Sequence, residues 1–371
     1  MLGNVVTGCS VLAPAGMLGE LSSGLDISVR TAGLLITFGA IVLCIGSPVT
    51  AWLTSRIERR TLLVVTLAVL ALTNIASAFA PDYASLLIIR LVMLAVGALY
   101  TPQAAGTAAL IVPEQKRGGT IAYVFLGWSL AAAAGLPTIT FIASRYGWHA
   151  VYAAIGLLGC VSLLLLAWRL PRGLMGAPVD LRTWARIGRN RTIVLLLSIT
   201  TLQMSGQFVI FTFMGPLLAR LTAAGPEAIA LVFACYGVCG VIGAAIAARI
   251  VDSWGAWKTS VLFMAMLLAG IAGWALGAGS YPLMFASVAA WGLGFASTNS
   301  MQQVRLVGAA PSLASASVSL NTSALYIGQA LGSAIGGFLY ARDLLHAAGY
   351  VAAAFVALAL TTAILTKPSR D

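Results

Sequence analysis

The chain is poor in charge: only 8% of its 371 residues are Asp, Glu, Lys or Arg, against about a quarter in soluble domains. Acids are scarcer than bases, ten against 21, and there are two histidines. The five cysteines, Cys9, Cys44, Cys160, Cys235 and Cys239, all sit inside apolar runs without metal-ligand company. They read as small packing residues, so neither a zinc site nor a disulfide framework is expected. No glycine-rich phosphate loop with its lysine occurs, and no paired carboxylates lie within an apolar run. Enzyme chemistry, a metal and a cofactor are therefore not expected. A cleavable signal peptide is also missing, because the first apolar run leads straight into Glu20 without a small-residue cleavage pattern. That run begins at Met1 with no polar leader, so the native start is expected upstream or behind a very short leader.

Hydrophobic residues make up 60% of the chain, and mean hydropathy is +0.98. These values predict an all-α polytopic membrane protein. A span needs about 20 mostly apolar residues to cross roughly 30 Å of hydrocarbon. Segmentation on that rule gives twelve spans. Six fall near 2–22, 31–53, 62–80, 84–110, 119–143 and 149–169. Six more fall near 193–220, 228–250, 258–278, 281–306, 314–340 and 346–366. The division expected is a six-helix bundle over 1–169, a polar linker over 170–191, and a second six-helix bundle over 192–371.

The net charge of +11 has no basic run interleaved with exposed aromatics, which argues against a nucleic-acid partner. It follows instead from loop asymmetry. Arg56, Arg59, Arg60, Lys116, Arg117, the linker arginines, Arg249, Lys258, Arg305, Lys367 and Arg370 fall on one side. The opposite loops hold Arg30, Arg145, Arg220 and Arg342. Both termini and the linker are therefore expected in the cytoplasm, in the inner (plasma) membrane.

The loop AWLTSRIERRTL over 51–62 cannot sit in hydrocarbon, where each unpaired charge costs at least about 2.5–3.5 kcal/mol. A looser echo, GAAIAARIVDSWGAWK, spans 243–258, and Asp252 stands 197 residues after Ser55. Two repeated halves explain the pair. Gly328, Gly332 and Gly336, four residues apart, predict close helix packing in the eleventh span.

These loops resemble the major facilitator superfamily, and within it the twelve-span drug:proton antiporters and sugar-efflux-like members. The family loop reads G-x-L-a-D-r-x-G-r-k. This chain keeps Leu53, Arg56, Arg59 and Arg60, but has Ala51, Ser55 and Glu58 where Gly, Asp and Gly are expected; the second copy keeps Asp252 and Gly255. Arg90 and Pro102 match the two ends of the family's span-4 motif, and Gly135-Leu136-Pro137 part of its span-5 motif. The stretch from Trp291 through Gln303, Pro311, Asn321 and Gly337 also follows the group. The resemblance implies the major facilitator fold, two pseudo-symmetric six-helix bundles rocking about a central site. It further implies a monomer that exports a small organic molecule against protons, with a cytoplasmic latch at Arg56, Arg59, Arg60, Asp252 and Gly255.

Related antiporters often carry an acid midway along span 1, where this chain has Ser10 and Val11. The remaining candidates for proton coupling are Arg90, which could pair with Glu20, and Glu20 itself. The substrate candidates are the polar and aromatic side chains of the spans that line the cavity in this superfamily: Asn4, Tyr100, Gln103, Trp128, Gln203, Gln207, Phe208, Phe211, Asn299 and Gln303. An aromatic cavity with a few neutral hydrogen-bonding groups suits an uncharged or amphipathic molecule. A facilitator or uptake carrier of the same fold, or a membrane-embedded ligand sensor, stays open as an alternative.

Overall fold

A computed structural model describes residues 1–54, 56–113, 117–175, 189–309 and 314–367, and their regular structure is helical throughout. The first half comprises α1 (Leu2–Gly16), α2 (Leu18–Gly24), α3 (Val29–Leu53), α4 (Arg59–Ser77), α5 (Tyr83–Gly97), α6 (Tyr100–Ile111), α7 (Arg117–Leu130), a π-helical turn (Ala131–Gly135) and α8 (Leu136–Arg169). The second comprises α9 (Arg191–Phe211), α10 (Met214–Thr222), α11 (Pro226–Trp254), α12 (Ala256–Leu276), α13 (Tyr281–Ala309), α14 (Ala314–Ala341) and α15 (Leu345–Leu365).

Several spans expected to be continuous are broken, mostly beside prolines. The first bends by 66° between α1 and α2. Pro14 lies three residues before the bend and cannot donate to the carbonyl of Ser10. The fourth is interrupted between Gly97 and Tyr100, with Pro102 in the first turn of α6. The fifth contains the π turn, because Pro137 leaves the carbonyl of Ala133 without its helical donor. The seventh breaks at Thr212 and Phe213. The break expected between spans 5 and 6 falls at Gly147, whose φ 78° and ψ 166° are not helical, so α8 is two helices meeting at a kink.

Among the described residues, nine helical stretches are long and apolar enough to cross a membrane, or ten with the bent pair α1–α2. One of them, Leu126–Arg169, has 44 residues. At 1.5 Å per residue it holds about 66 Å of helix, divided by the kink at Gly147 into two pieces that each suit one crossing. Helix α13 has the length but falls outside the nine, because Thr298, Asn299, Gln302, Gln303 and Arg305 crowd its second half.

Each half packs mainly on itself: α4 on α8 in the first; α9 on α14 and α15, and α12 on α13, in the second. Gly328, Gly332 and Gly336 of α14 lie on the backbone carbonyls of Thr201, Ser205 and Val209 of α9, where any Cβ would collide. A repeat also shows in two staples. Arg60 in the first turn of α4 donates to the carbonyl of Ala167 at the end of α8, 2.6 Å. Trp257 in the first turn of α12 donates to the carbonyl of Ala363 near the end of α15, 2.9 Å. We call the side bearing these staples the linker face.

The halves meet along two seams. In one, α3 lies on α14, with Thr37 Oγ1 donating to Ser333 Oγ at 3.0 Å and Ser323 Oγ to the carbonyl of Cys44 at 3.1 Å. In the other, α11 crosses the π turn and α8. Here Gly237 approaches the backbone of Ala132 and Ala133, and a Cβ would sit 2.6 Å from the Ala132 carbonyl carbon. On the far face α10 touches α1 and α2, and the Phe213 ring covers Gly33. These contacts bridge the halves on that side.

Candidate functional site

Several of the residues expected to touch substrate fall into one polar cluster in each half. In the first half, Asn4 Nδ2 donates to the carbonyl of Val124, 2.8 Å, and Asn4 Oδ1 accepts from Thr101, 2.9 Å. The Trp128 indole in turn donates to Thr101 Oγ1, 3.0 Å. Asn4 is fully buried while Trp128 stays half-buried. Tyr100 is buried with its hydroxyl against Gly3. Gln103 is held by Arg59, whose Nη1 donates to its Oε1. Thr101, absent from the sequence expectations, is the hub of this cluster; its only signal is the polar position between Tyr100 and Gln103.

In the second half Gln203 Nε2 donates to Asn299 Oδ1, 3.0 Å. Gln203 is fully buried and its Oε1 has no partner among the described residues. Such an orphan acceptor is costly in a dry interior, about 1–3 kcal/mol. Asn299 and Gln303 are half-buried on α13. Gln207 is tied up within the half: the Trp291 indole donates to its Oε1 at 3.0 Å, and its Nε2 faces the Met204 sulfur. Phe208 and Phe211 pack at 5.3 Å between ring centres, and Phe211 continues to Phe233, Tyr236 and Trp291. These rings form a buried aromatic wall behind Gln207.

Arg90 and Glu20 are separate. Arg90 is almost fully buried, and its guanidinium donates to three backbone carbonyls, Leu35 at 3.0 Å, Ser10 at 2.9 Å and Val11 at 2.8 Å. The pairing of Arg90 with Glu20 allowed by the sequence is not made. Glu20 instead lines a far-face cavity of about 340 Å³ with Val29, Thr140, Arg220, Ile229 and Tyr340. Arg220 there is paired to Asp343 at 2.8 Å, the one ion pair among the described residues. This cavity contains none of the ten residues expected to touch substrate.

At the linker face, Glu58 precedes α4 and accepts from Thr61, 2.7 Å, and from the backbone N–H of Gly173, 2.6 Å. The Thr61 hydroxyl first, then the Gly173 amide, then Arg60 and Arg172 hold its carboxyl below the usual carboxylate range. The backbone N–H of Arg59 donates to the carbonyl of Leu174, 2.8 Å. The start of the linker is thus strapped to the first charged loop, and Arg56 stands exposed beside it. In the second copy Gly255 joins α11 to α12 with φ 79°, a conformation that requires glycine. Ser55, Lys116, Pro311, Arg370 and the side chain of Asp252 lie outside the described residues. No group of three or more His, Cys, Asp or Glu suited to a metal occurs among those described.

The sequence model of the Major Facilitator Superfamily matches residues 1–317 and 196–371. The chain is 27% identical over 339 residues to the inner membrane transport protein YdhP of Escherichia coli, covering 91% of this chain and 86% of that protein. It is 28% identical over 248 residues to a chloramphenicol efflux pump of Mycobacterium tuberculosis, covering 66% of this chain and 59% of the pump. Among solved structures, that of a D-xylose-proton symporter superposes with a TM-score of 0.80 at 16% identity, covering 99% of this chain and 96% of the other.

Proposed function

The chain belongs to the major facilitator superfamily, a multi-pass membrane secondary transporter and not an enzyme, and from that premise we propose that it exports a small organic molecule in exchange for protons. The observation that carries the reading is the arrangement of the two polar clusters. They lie on α1, α6 and α7 in one half and α9 and α13 in the other, with Trp128, Asn299 and Gln303 still half-buried while α10 closes on α1 and α2 across the far face. This arrangement fits a central site reached from the linker side, as loading for export requires. The name of the mycobacterial relative, an efflux pump, points the same way.

In this reading Asn4, Tyr100, Trp128, Gln203, Asn299 and Gln303 offer hydrogen bonds and an aromatic surface to the substrate, and Phe208 and Phe211 back them. Gln103 and Gln207 reach it only after leaving Arg59 and Trp291. Protons act at Glu20, with Arg90 as a fixed positive charge in the same half. Arg56, Arg59, Arg60, Asp252 and Gly255 form the latch at the linker face. The two bundles, 1–169 and 192–371, rock about this site, joined by the linker 170–191. The protein works as a monomer in the inner membrane, with both termini and the linker in the cytoplasm.

A facilitator without proton exchange is the second reading, favoured by Ser10 and Val11 where related antiporters carry an acid. A ligand-induced thermal-shift screen identifies a substrate, and proteoliposomes then separate the readings. Proton exchange predicts that an imposed pH gradient drives uphill flux and that substrate dissipates the gradient. Flux without either effect leaves the facilitator, and binding without flux leaves a sensor.

A further inference from the structure

Arg90 is a full charge at the heart of the first half with no acid beside it. Its partners are carbonyls, and one of them is distinctive. In an α-helix the carbonyl of Ser10 accepts from the backbone N–H four residues on, which is residue 14. That residue is Pro14, which has no N–H and whose ring presses on the same carbonyl. The orphaned oxygen is buried and far from water. Arg90 Nη1 supplies the missing hydrogen bond from α5 at 2.9 Å, and Nη2 adds one to Val11 at 2.8 Å. The third bond, from Nε to Leu35 at 3.0 Å, ties the same guanidinium to α3. Tyr152 of α8 lies alongside, and Ser10 Oγ accepts from Asn74 of α4 at 2.9 Å. Four neighbouring helices therefore converge on the damaged turn of α1.

We infer that Arg90 is a positioning residue that stands in for the amide hydrogen missing at Pro14, holding the bend of the first span. That bend sets α2 against α10 on the far face. A planar fork is required, since one ammonium cannot reach carbonyls on two helices in three directions. The buried charge is then explained without an acidic partner: three carbonyl dipoles solvate it, one of them the Ser10 oxygen that Pro14 leaves without a helical donor.

The test is a double-mutant cycle between Pro14 and Arg90, read by hydrogen exchange of residues 8–24 in purified full-length protein in nanodiscs, without substrate. Arg90→Met is expected to speed exchange there at least about tenfold, the loss of charge-assisted hydrogen bonds to buried carbonyls. In the Pro14→Ala background the restored backbone N–H gives the Ser10 carbonyl its own helical donor. There the same change is expected to speed exchange less than about threefold. Arg90→Lys should behave like Arg90→Met. An equal Arg90→Met effect in both backgrounds overturns the inference, as does an Arg90→Lys protein that exchanges like the wild type. If Arg90→Met alone does not fold, recovery of folded protein on adding Pro14→Ala supports the assignment, and failure to recover it refutes it. Because no step uses substrate or a proton gradient, this outcome is independent of whether the export reading holds.

Discussion

Gly237 faces the π turn where α11 crosses it, and giving it a single methyl group tests how the halves share that seam. In Gly237→Ala the new Cβ would collide with the Ala133 Cα and backbone N and sit 2.6 Å from the Ala132 carbonyl carbon, whereas ordinary contact begins at 3.4 Å. Relief therefore needs more than about 0.8 Å of separation between α11 and the π turn. The obstacle is backbone, so no rotamer change can absorb it. Overpacking of this kind costs about 1–3 kcal/mol. Charged against the far-face-closed arrangement alone, it shifts the balance toward opening by about 5–150-fold. Hydrogen exchange of α2 and α10, which meet on the far face, reads the shift directly. Gly106→Ala is the control, because nothing lies within 4 Å of its Cβ position. Exchange in α2 and α10 that is equally slow in Gly237→Ala and Gly106→Ala would refute the reasoning.

Other perturbations address the linker face. Glu58 titrates lower folded than unfolded, so its contribution is present above the usual carboxylate range and is lost as pH falls through the lower folded value. The melting-temperature gap between wild type and Glu58→Gln should therefore be present at neutral pH and close on acidification; a gap that does not change with pH counts against the assignment. Gln103→Ala leaves the Arg59 guanidinium short of an acceptor and should lower stability by about 1–3 kcal/mol, measured by denaturant titration. Restoring the acceptor with Gln103→Glu should recover at least part of the loss. Asp252→Asn should impair transport more than Ser55→Ala if the second loop carries the latch charge, and equal flux in the two variants contradicts that.

The sequence disclosed the membrane class, the position of most helices and the repeat, because those depend on composition and local runs. It did not disclose the breaks. Pro14, Pro102 and Pro137 are plain in the chain, but whether a proline ends, bends or bulges a helix depends on what meets the freed carbonyl. For Ser10 that partner is 80 residues away on another span. The same non-locality hid the role of Arg90: an arginine in an apolar run suggests an acid, and backbone carbonyls leave no mark in a sequence. Gln103 reads as a ligand group until Arg59, 44 residues earlier, is seen to hold it. The glycine stripe of α14 was legible because four-residue spacing is itself the packing geometry.

The polarity of α13 bears on how the protein is made. This helix is more polar than the nine apolar stretches, and it is synthesised before part of what satisfies it. Gln302 bonds back to the carbonyl of Leu196 in α9, which is already in place. Arg305 bonds forward to the carbonyl and hydroxyl of Thr366, beyond the end of the last helix. Until the ribosome has released that final turn, the arginine has an incomplete set of partners, and α13 has to shelter against α11 and α12. A chain cut before Thr366 therefore leaves Arg305 with Gln302, one turn away on its own helix, in place of two anchors on the neighbouring one.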